Sequence, residues 1–340
     1  MKNVSLALIM LLCCAFFILS CKKSSDEPQP SNQQPATPSS PNPTDAATYV
    51  SVTPVLSWTC SDPDTGDSLK FDIYFDSTNP PNTLLVSNWK QPNYALGTLD
   101  FNKTYYWRVT AHDLKSASAI GPIWRFTTLS ELPTQGLVAY YPFNGNANDE
   151  SGNGYNGTVH GASLTADRFG KVNNGYNFTN NINYIQVNNF PILNSVFTYC
   201  VWVKPSPANS NGQNFGCYGT IDGGVSSWDV GYYIKNQLSV FDRYNLVFID
   251  IVELADSWHF IVVVYNGNIR SIYVDGQFKK SQNITTPIPT NYTDVFRIGM
   301  HTDGDGNQQF IGNIDDVRTY NRAISETEIL QLYHEGGWTK

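Results

Sequence analysis

Apolar and polar positions alternate with a period of two over most of this chain. Leu69-Phe71-Ile73-Phe75 and Tyr105-Trp107-Val109-Ala111 each line one face of a predicted strand. Ile261 to Tyr265 and Ile269 to Val274 flank Asn266-Gly267-Asn268, and the Asn-Gly step predicts a hairpin. A second turn is expected at Asp275-Gly276, followed by a strand around Phe278. The period changes only near the end. Ser325 and Glu328 form a capping box, in which each side chain satisfies a backbone N–H at a helix start, and Ile329, Leu330 and Tyr333 supply the apolar stripe. Just upstream, Ile314 and Val317 are an odd number of residues apart. Strict alternation cannot bury both, so a bulge or bend is expected at Asp315-Asp316. The pattern predicts an all-β protein with one short C-terminal helix.

The same pattern divides the chain. Residues 1–20 carry one Lys, no acidic residue and an apolar run from Leu6 to Leu19, the composition of a secretory signal peptide. Residues 21–46 are mostly Pro, Ser, Asn, Gln and Thr and cannot bury a core, so a disordered tether is expected there. Residues 47–130 hold short strands punctuated by Asp62-Pro63-Asp64, Asn79-Pro80-Pro81 and Gly121-Pro122, enough for a seven-stranded sandwich with Trp58 in its core. Ser130 to Gln135 is a linker. Residues 136–340 hold longer runs between Gly- and Asn-rich turns, which suit two curved antiparallel sheets packed face to face.

Charge and cysteine content narrow the chemistry. A formal net charge of −8 argues against a nucleic-acid partner, because phosphate contacts need clustered cations. Of six cysteines, Cys13 and Cys14 lie in the signal and Cys21 directly follows it, leaving Cys60, Cys200 and Cys217. A Cys200–Cys217 disulfide is left open, and no Cys/His spacing suggests zinc. The chain has no Gly-x-Ser-x-Gly, no His-Glu-x-x-His and no phosphate loop. Asp315 and Asp316 are the best candidates for a hard-metal site, since adjacent carboxylates beside a core strand are costly unless paired or bound to a cation. The loop Asn144 to Gly157 offers oxygen donors on a bendable backbone, which suits calcium. His301 to Asn307 looks like half a calcium loop without the downstream Glu and is taken as a solvated turn. Trp228, in a Gly/Ser-rich segment, is a candidate for sugar stacking.

Family resemblances sharpen these expectations. Gly312 to Ile329, together with GLVAYYPFNGNANDESGNGYNG, FTYCVWVKP, SWHFIVVVYNGNIRSIYVDG and FRIG, resembles the laminin-G-like, pentraxin-like jelly rolls of the concanavalin A-like superfamily. The resemblance implies a structural calcium ion held by Asp149 and one of Asp315 or Asp316, with Asn156 or nearby carbonyls completing the shell. Only one of the pair is expected to ligate, because neighbours on a regular strand face opposite sides. Jelly-roll glycosidases carry a Glu-x-Asp-x-x-Glu strand. Here Phe248 stands at the first carboxylate, and Asp250 and Glu253 alone would lie on opposite faces, so no enzyme is expected. His259 matches a structural position. Leu99 to Tyr105 resembles the tyrosine corner of a fibronectin type III module. Leu19-Ser20-Cys21 resembles a lipoprotein box, which implies lipidation of Cys21, and the following basic-then-acidic residues resemble surface-export signals of Bacteroidetes lipoproteins. Together these imply a lipid-anchored protein of the outer membrane and cell surface that binds a glycan or a cell-surface protein. The alternatives are a structural, adhesive module or a non-catalytic accessory part of a polysaccharide-utilisation system.

Overall fold

The computed structural model describes residues 31–338, apart from 180–181, 207–212, 222–224, 235–236, 243–244, 251–255, 286–293 and 302–308. The signal segment, Cys21, Glu253 and the 302–308 turn therefore lie outside the described residues. Among those described the regular structure is nearly all β-strand, with one α-helix at Glu326–Tyr333, so the expected class holds.

The N-terminal sandwich has two sheets. Ser39–Asn42, Val55–Thr59 and Asn93–Ala95 form the smaller one. The larger runs Ala47–Val50, Trp124–Thr128, Thr104–His112, Lys70–Asp76, Leu84–Trp89, with Ser118–Ile120 added against Thr104–His112. Trp58, Phe71, Ile73, Trp107, Val109 and Phe126 fill the space between. The Tyr105 hydroxyl accepts the Asp100 backbone N–H at 3.1 Å, tying the strand start to the turn before it.

The expectation of an unstructured tether fails over residues 31–46. Ser39–Asn42 pairs antiparallel with Val55–Thr59, Asn32 donates to Asp113 at 2.7 Å, and Gln33 donates through its backbone and side chain to Asp64. Pro35, Pro38 and Pro43 are buried. Composition misled here because a strand docks through its backbone donors and acceptors, and needs few apolar side chains when the sheet it joins already has a core.

The second sandwich is larger. Its first sheet runs Ser163–Thr165, Gly175–Phe178, Gly312–Tyr320, Val196–Pro205, His259–Asn266, Ile269–Val274, Gln277–Asn283, with Leu137–Tyr141 also paired to Gly312–Tyr320. Its second sheet runs Thr158–His160, Tyr184–Val187, Phe296–Ile298, Gln213–Ile221, Val225–Ile234, Gln237–Asp242, Asn245–Asp250. Alternating residues from both sheets make one core, including Tyr199, Val201, Val263, Ile314 and Val317 from the first and Tyr218, Val230, Phe296 and Ile298 from the second. Both predicted turns form. Asn266 pairs with Ile269 across Gly267 at φ 63°, and Val274 pairs with Gln277 across Asp275 and Gly276 at φ 54° and 72°.

The first sheet is covered on its other face as well. Trp202, Phe260, Val262 and Tyr320 pack there against Ile329, Leu332, Tyr333 and Trp338. The helix forms as expected, with the Ser325 side chain accepting the Glu328 N–H and Glu328 reaching back to the Ser325 N–H. Leu332 takes the deeply buried place expected of Leu330. Burying each such side chain stabilises by roughly 1.5–3 kcal/mol. Cys200 sits on this helix-covered face, whereas Cys217 sits on the far face of the other sheet; the core lies between them and no disulfide joins them.

Candidate functional site

The bulge in the closing strand organises the first group of polar residues. Trp202 pairs with Asp315, but Cys200 pairs with Arg318, and the register shift lies between them at Asp316, whose φ is +45°. The extra residue lets Ile314 and Val317 both face the core, as their spacing requires. It also turns both carboxylates to the helix-covered side, which corrects the expectation that the two Asp residues would face opposite ways.

Both are buried, at 2 % and 6 % exposure, and their cation is a guanidinium. One Nη of Arg168 donates to Asp315 at 3.0 Å and also to Asp316. Arg318 approaches Asp316 at 3.7 Å and Glu335 at 2.8 Å, and the Tyr140 hydroxyl donates to Asp316 at 2.9 Å. Arg168 lies over Trp202 and Arg318 over Tyr140, so each guanidinium also packs on an aromatic face. Burial, then the adjacent Asp316 charge, push Asp315 well above the usual carboxylate range. Burial acts the same way on Asp316, but Arg318 and Arg168 outweigh it and hold its carboxyl low. Two guanidiniums, Arg168 and Arg318, thus face three carboxyl groups, Asp315, Asp316 and Glu335, inside one buried cluster.

Asp149 serves a separate purpose. Its Oδ1 accepts the backbone N–H groups of Tyr140 and Ser151, and its Oδ2 accepts the Tyr155 N–H and the Ser151 hydroxyl, all within 3.0 Å. Asn156 Oδ1 accepts the Asp149 N–H at 2.9 Å. The first and last strands do meet as expected, since Tyr140 donates its backbone N–H to Asp149 and its hydroxyl to Asp316. The oxygens named for calcium are nevertheless taken up by four donors at Asp149 and by Arg168 at the pair. This donor set fits a guanidinium and a hydrogen-bonded loop; it does not fit a calcium shell, which needs six to eight oxygens turned toward one point.

Trp228 is not a surface stacking residue. It is 0 % exposed, packed between Phe197, Tyr199, Tyr218 and Phe296 in the middle of the core. His259 donates or accepts at Asp275 Oδ2 and at the Ser257 hydroxyl, both at 2.7 Å, while Asp275 Oδ1 takes the Phe260 N–H. These contacts pin the Asp275-Gly276 turn to the start of the preceding strand. The strand that carries Phe248 and Asp250 ends at Asp250.

Sequence reasoning missed the outer face of the second sheet. Ile185, Val187, Phe296 and Ile298 point into the core, so Tyr184, Gln186 and Arg297 point outward. His160 stacks on Tyr184 with centroids 4.4 Å apart and planes at 16° or less, namely 15°. Arg297 lies over the same ring at 4.9 Å and donates to Gln186 at 3.1 Å. Gln186 in turn donates to Asn188 at 2.9 Å. All four of His160, Tyr184, Gln186 and Arg297 are partly exposed. The result is an aromatic surface flanked by amides and a fixed guanidinium, held on strands.

Residues 179–330 match the Laminin_G_3 family model, described as the Concanavalin A-like lectin/glucanases superfamily. A stretch of 170 residues, 43 % of the chain, is 24 % identical to adhesion G-protein coupled receptor V1 of Danio rerio, and spans 2 % of that receptor's length. Among solved structures the chain is similar to domain 4 of AbnA, an extracellular GH43 arabinanase from Geobacillus stearothermophilus in complex with arabinotriose. The identity is 19 %, coverage 58 % of this chain and 98 % of that one, and the TM-score 0.47. It is also similar to the botulinum neurotoxin serotype D binding domain, at 20 % identity, 60 % and 52 % coverage and a TM-score of 0.47.

Proposed function

We propose that the jelly roll, a lectin-like domain over residues 179–330, binds a glycan on the outer face of its second sheet. The observation that carries this reading is the Tyr184 surface: a partly exposed ring stacked by His160, with Arg297 and Gln186 beside it. A sugar ring offers an apolar C–H face and a belt of hydroxyls. The exposed part of the His160–Tyr184 stack takes the first, and amides and a guanidinium take the second. The domain acts by binding and not by hydrolysis, in keeping with Phe248 at the place of a first carboxylate. Lipidation at Cys21 and display on the outer membrane belong to the same proposal, supported by the N-terminal apolar run and Leu19-Ser20-Cys21. So does a fibronectin type III-like spacer, supported by the two-sheet sandwich and the Tyr105–Asp100 contact.

A glycan array followed by affinity electrophoresis against soluble polysaccharides tests the reading. Tyr184→Ala should weaken binding about five- to hundredfold, taking a stacking contact on an aromatic side chain as ~1–3 kcal/mol as for bases, while the thermal midpoint stays within a few degrees. Binding unchanged in Tyr184→Ala would move the site elsewhere. Release of reducing sugar by the pure protein would overturn the non-catalytic part, and capture of a surface protein without any glycan signal would favour an adhesive module.

A further inference from the structure

Farther along the same outer face, strand register brings together three residues that lie far apart in the chain. Cys217 pairs directly with Asp229 on the next strand and with Arg297 on the strand to its other side. His301 follows four residues after Arg297, and the Arg297 guanidinium donates to the His301 carbonyl at 3.0 Å, which fixes where that residue leaves the sheet. The Cys217 Sγ, one Asp229 carboxylate oxygen and one His301 ring nitrogen all lie within 4.8 Å of one another. Their exposures are 0 %, 6 % and 6 %.

We infer that Cys217, Asp229 and His301 form a three-ligand zinc site. The chemistry of the set is the first argument. A thiolate, an imidazole and a carboxylate are the three side-chain ligands zinc uses, and the sulfur disfavours calcium and magnesium. Geometry is the second. Three atoms within 4.8 Å of one another share a point no more than about 2.8 Å from each, so inward shifts of well under 1 Å reach the ~2.0–2.3 Å of zinc bonds. The approach of His301 Nε2 to Asp229 Oδ2, at 3.7 Å, is too long for a hydrogen bond and leaves room between them. Charge is the third. A thiolate and a carboxylate together balance a divalent ion, and binding sends the Cys217 proton to solvent. Arg297, the positive neighbour on this face, is turned toward Gln186 and the His301 carbonyl. It therefore steadies the ligands from outside the set, as an outer contact to a metal ligand commonly does. Three protein ligands leave the fourth position of a tetrahedral ion for water or an oxygen of a bound molecule. The inference does not depend on what occupies the Tyr184 surface.

The test loads the full chain, stripped with chelator under reducing conditions, with zinc, cobalt(II) or calcium. About one zinc per chain should survive gel filtration, measured by elemental analysis, and cobalt should give the near-ultraviolet band of thiolate-to-metal charge transfer. Cys217→Ser should abolish that band, and His301→Gln and Asp229→Asn should each weaken zinc at least about tenfold, whereas Cys200→Ser should change neither. A large excess of calcium should leave zinc in place. A folded wild-type chain that retains no zinc and shows no thiolate band overturns the site, whether or not the variants fold. So does a band that persists in Cys217→Ser or zinc that calcium displaces.

Discussion

The jelly roll has two outer faces, and they are built in opposite ways. On the first sheet the outer face is closed: the Glu326–Tyr333 helix and Trp338 cover Trp202, Phe260 and Tyr320, and Arg168 and Arg318 are sealed in with Asp315, Asp316 and Glu335. On the second sheet His160, Tyr184, Gln186 and Arg297 remain partly exposed. The charged groups on the closed face are buried and pair with one another, so what they do is hold the closing strand to the segment after the helix. The groups on the open face keep part of their surface in solvent. The lesson is that strongly perturbed carboxylates mark the structural side of this molecule, whereas the other side carries ordinary-looking, partly exposed aromatic and amide residues. Perturbed titration alone would point to the closed face, where the shifts come from buried ion pairs.

The largest effect should come from breaking the closed face. Arg168→Met leaves two buried carboxylates short of their main cation and is expected to cost roughly 3–5 kcal/mol in urea unfolding. At about 2–4 °C per kcal/mol for a domain of this size, that is a loss on the order of 10 °C. Asp316→Asn should cost more than Asp315→Asn, because the Asp316 charge is the one that Arg318 and Arg168 hold low while Asp315 is pushed up. Equal effects would show that the pair shares its charge evenly.

Calcium sharpens the same comparison through an effect expected to be absent. With Arg168 on the pair and four donors on Asp149, melting in calcium and in chelator should give the same midpoint, since an ion that does not bind the native state adds nothing to it. A rise of several degrees in calcium, lost in Asp149→Ala, would return the ion to the closed face.

The smallest effect concerns the helix cap. Arg322 donates to both oxygens of Glu328, at 3.0 Å for one of the two, and with the Ser325 N–H this lowers Glu328 from 4.5 to about 2 against the opposing pull of burial. A depressed carboxyl contributes stability that is fully present above 4.5 and is lost as pH falls toward about 2. Glu328→Gln keeps a side chain able to cap but removes the charge. Its penalty relative to wild type should therefore be present at neutral pH and shrink across that window, and a penalty independent of pH would assign the effect to capping geometry.

Local signals were the legible part of the sequence. The hairpin at Gly267, the turn at Asp275-Gly276 and the Ser325/Glu328 cap depend on residues within a few positions of each other, and each formed. The bulge was legible too, because Ile314 and Val317 impose a parity that only one extra residue resolves. The partner of the carboxylate pair was not, since Arg168 sits 147 residues before Asp315 in a connecting segment without periodicity. Trp228 was misplaced for a different reason. Periodicity says which residues share a face, but in a strand buried on both sides it does not say which face is the core. Cys217, Asp229 and His301 escaped because their proximity comes from strand pairing and not from spacing along the chain.

The position of Gly312–Tyr320 has a consequence in time. This strand lies inside its sheet, with Val196–Pro205 on one side and both Gly175–Phe178 and Leu137–Tyr141 on the other. A ribosome makes it after every strand it joins. Until it emerges, the strands on either side expose unpaired edges, and the jelly roll cannot close progressively from its N-terminal end as a repeat array could. Its contacts are long in sequence, which slows folding and prolongs the interval in which those edges are open. The N-terminal sandwich, whose described strands lie between Ser39 and Thr128, has no such wait and can be complete before the closing strand of the second domain is available.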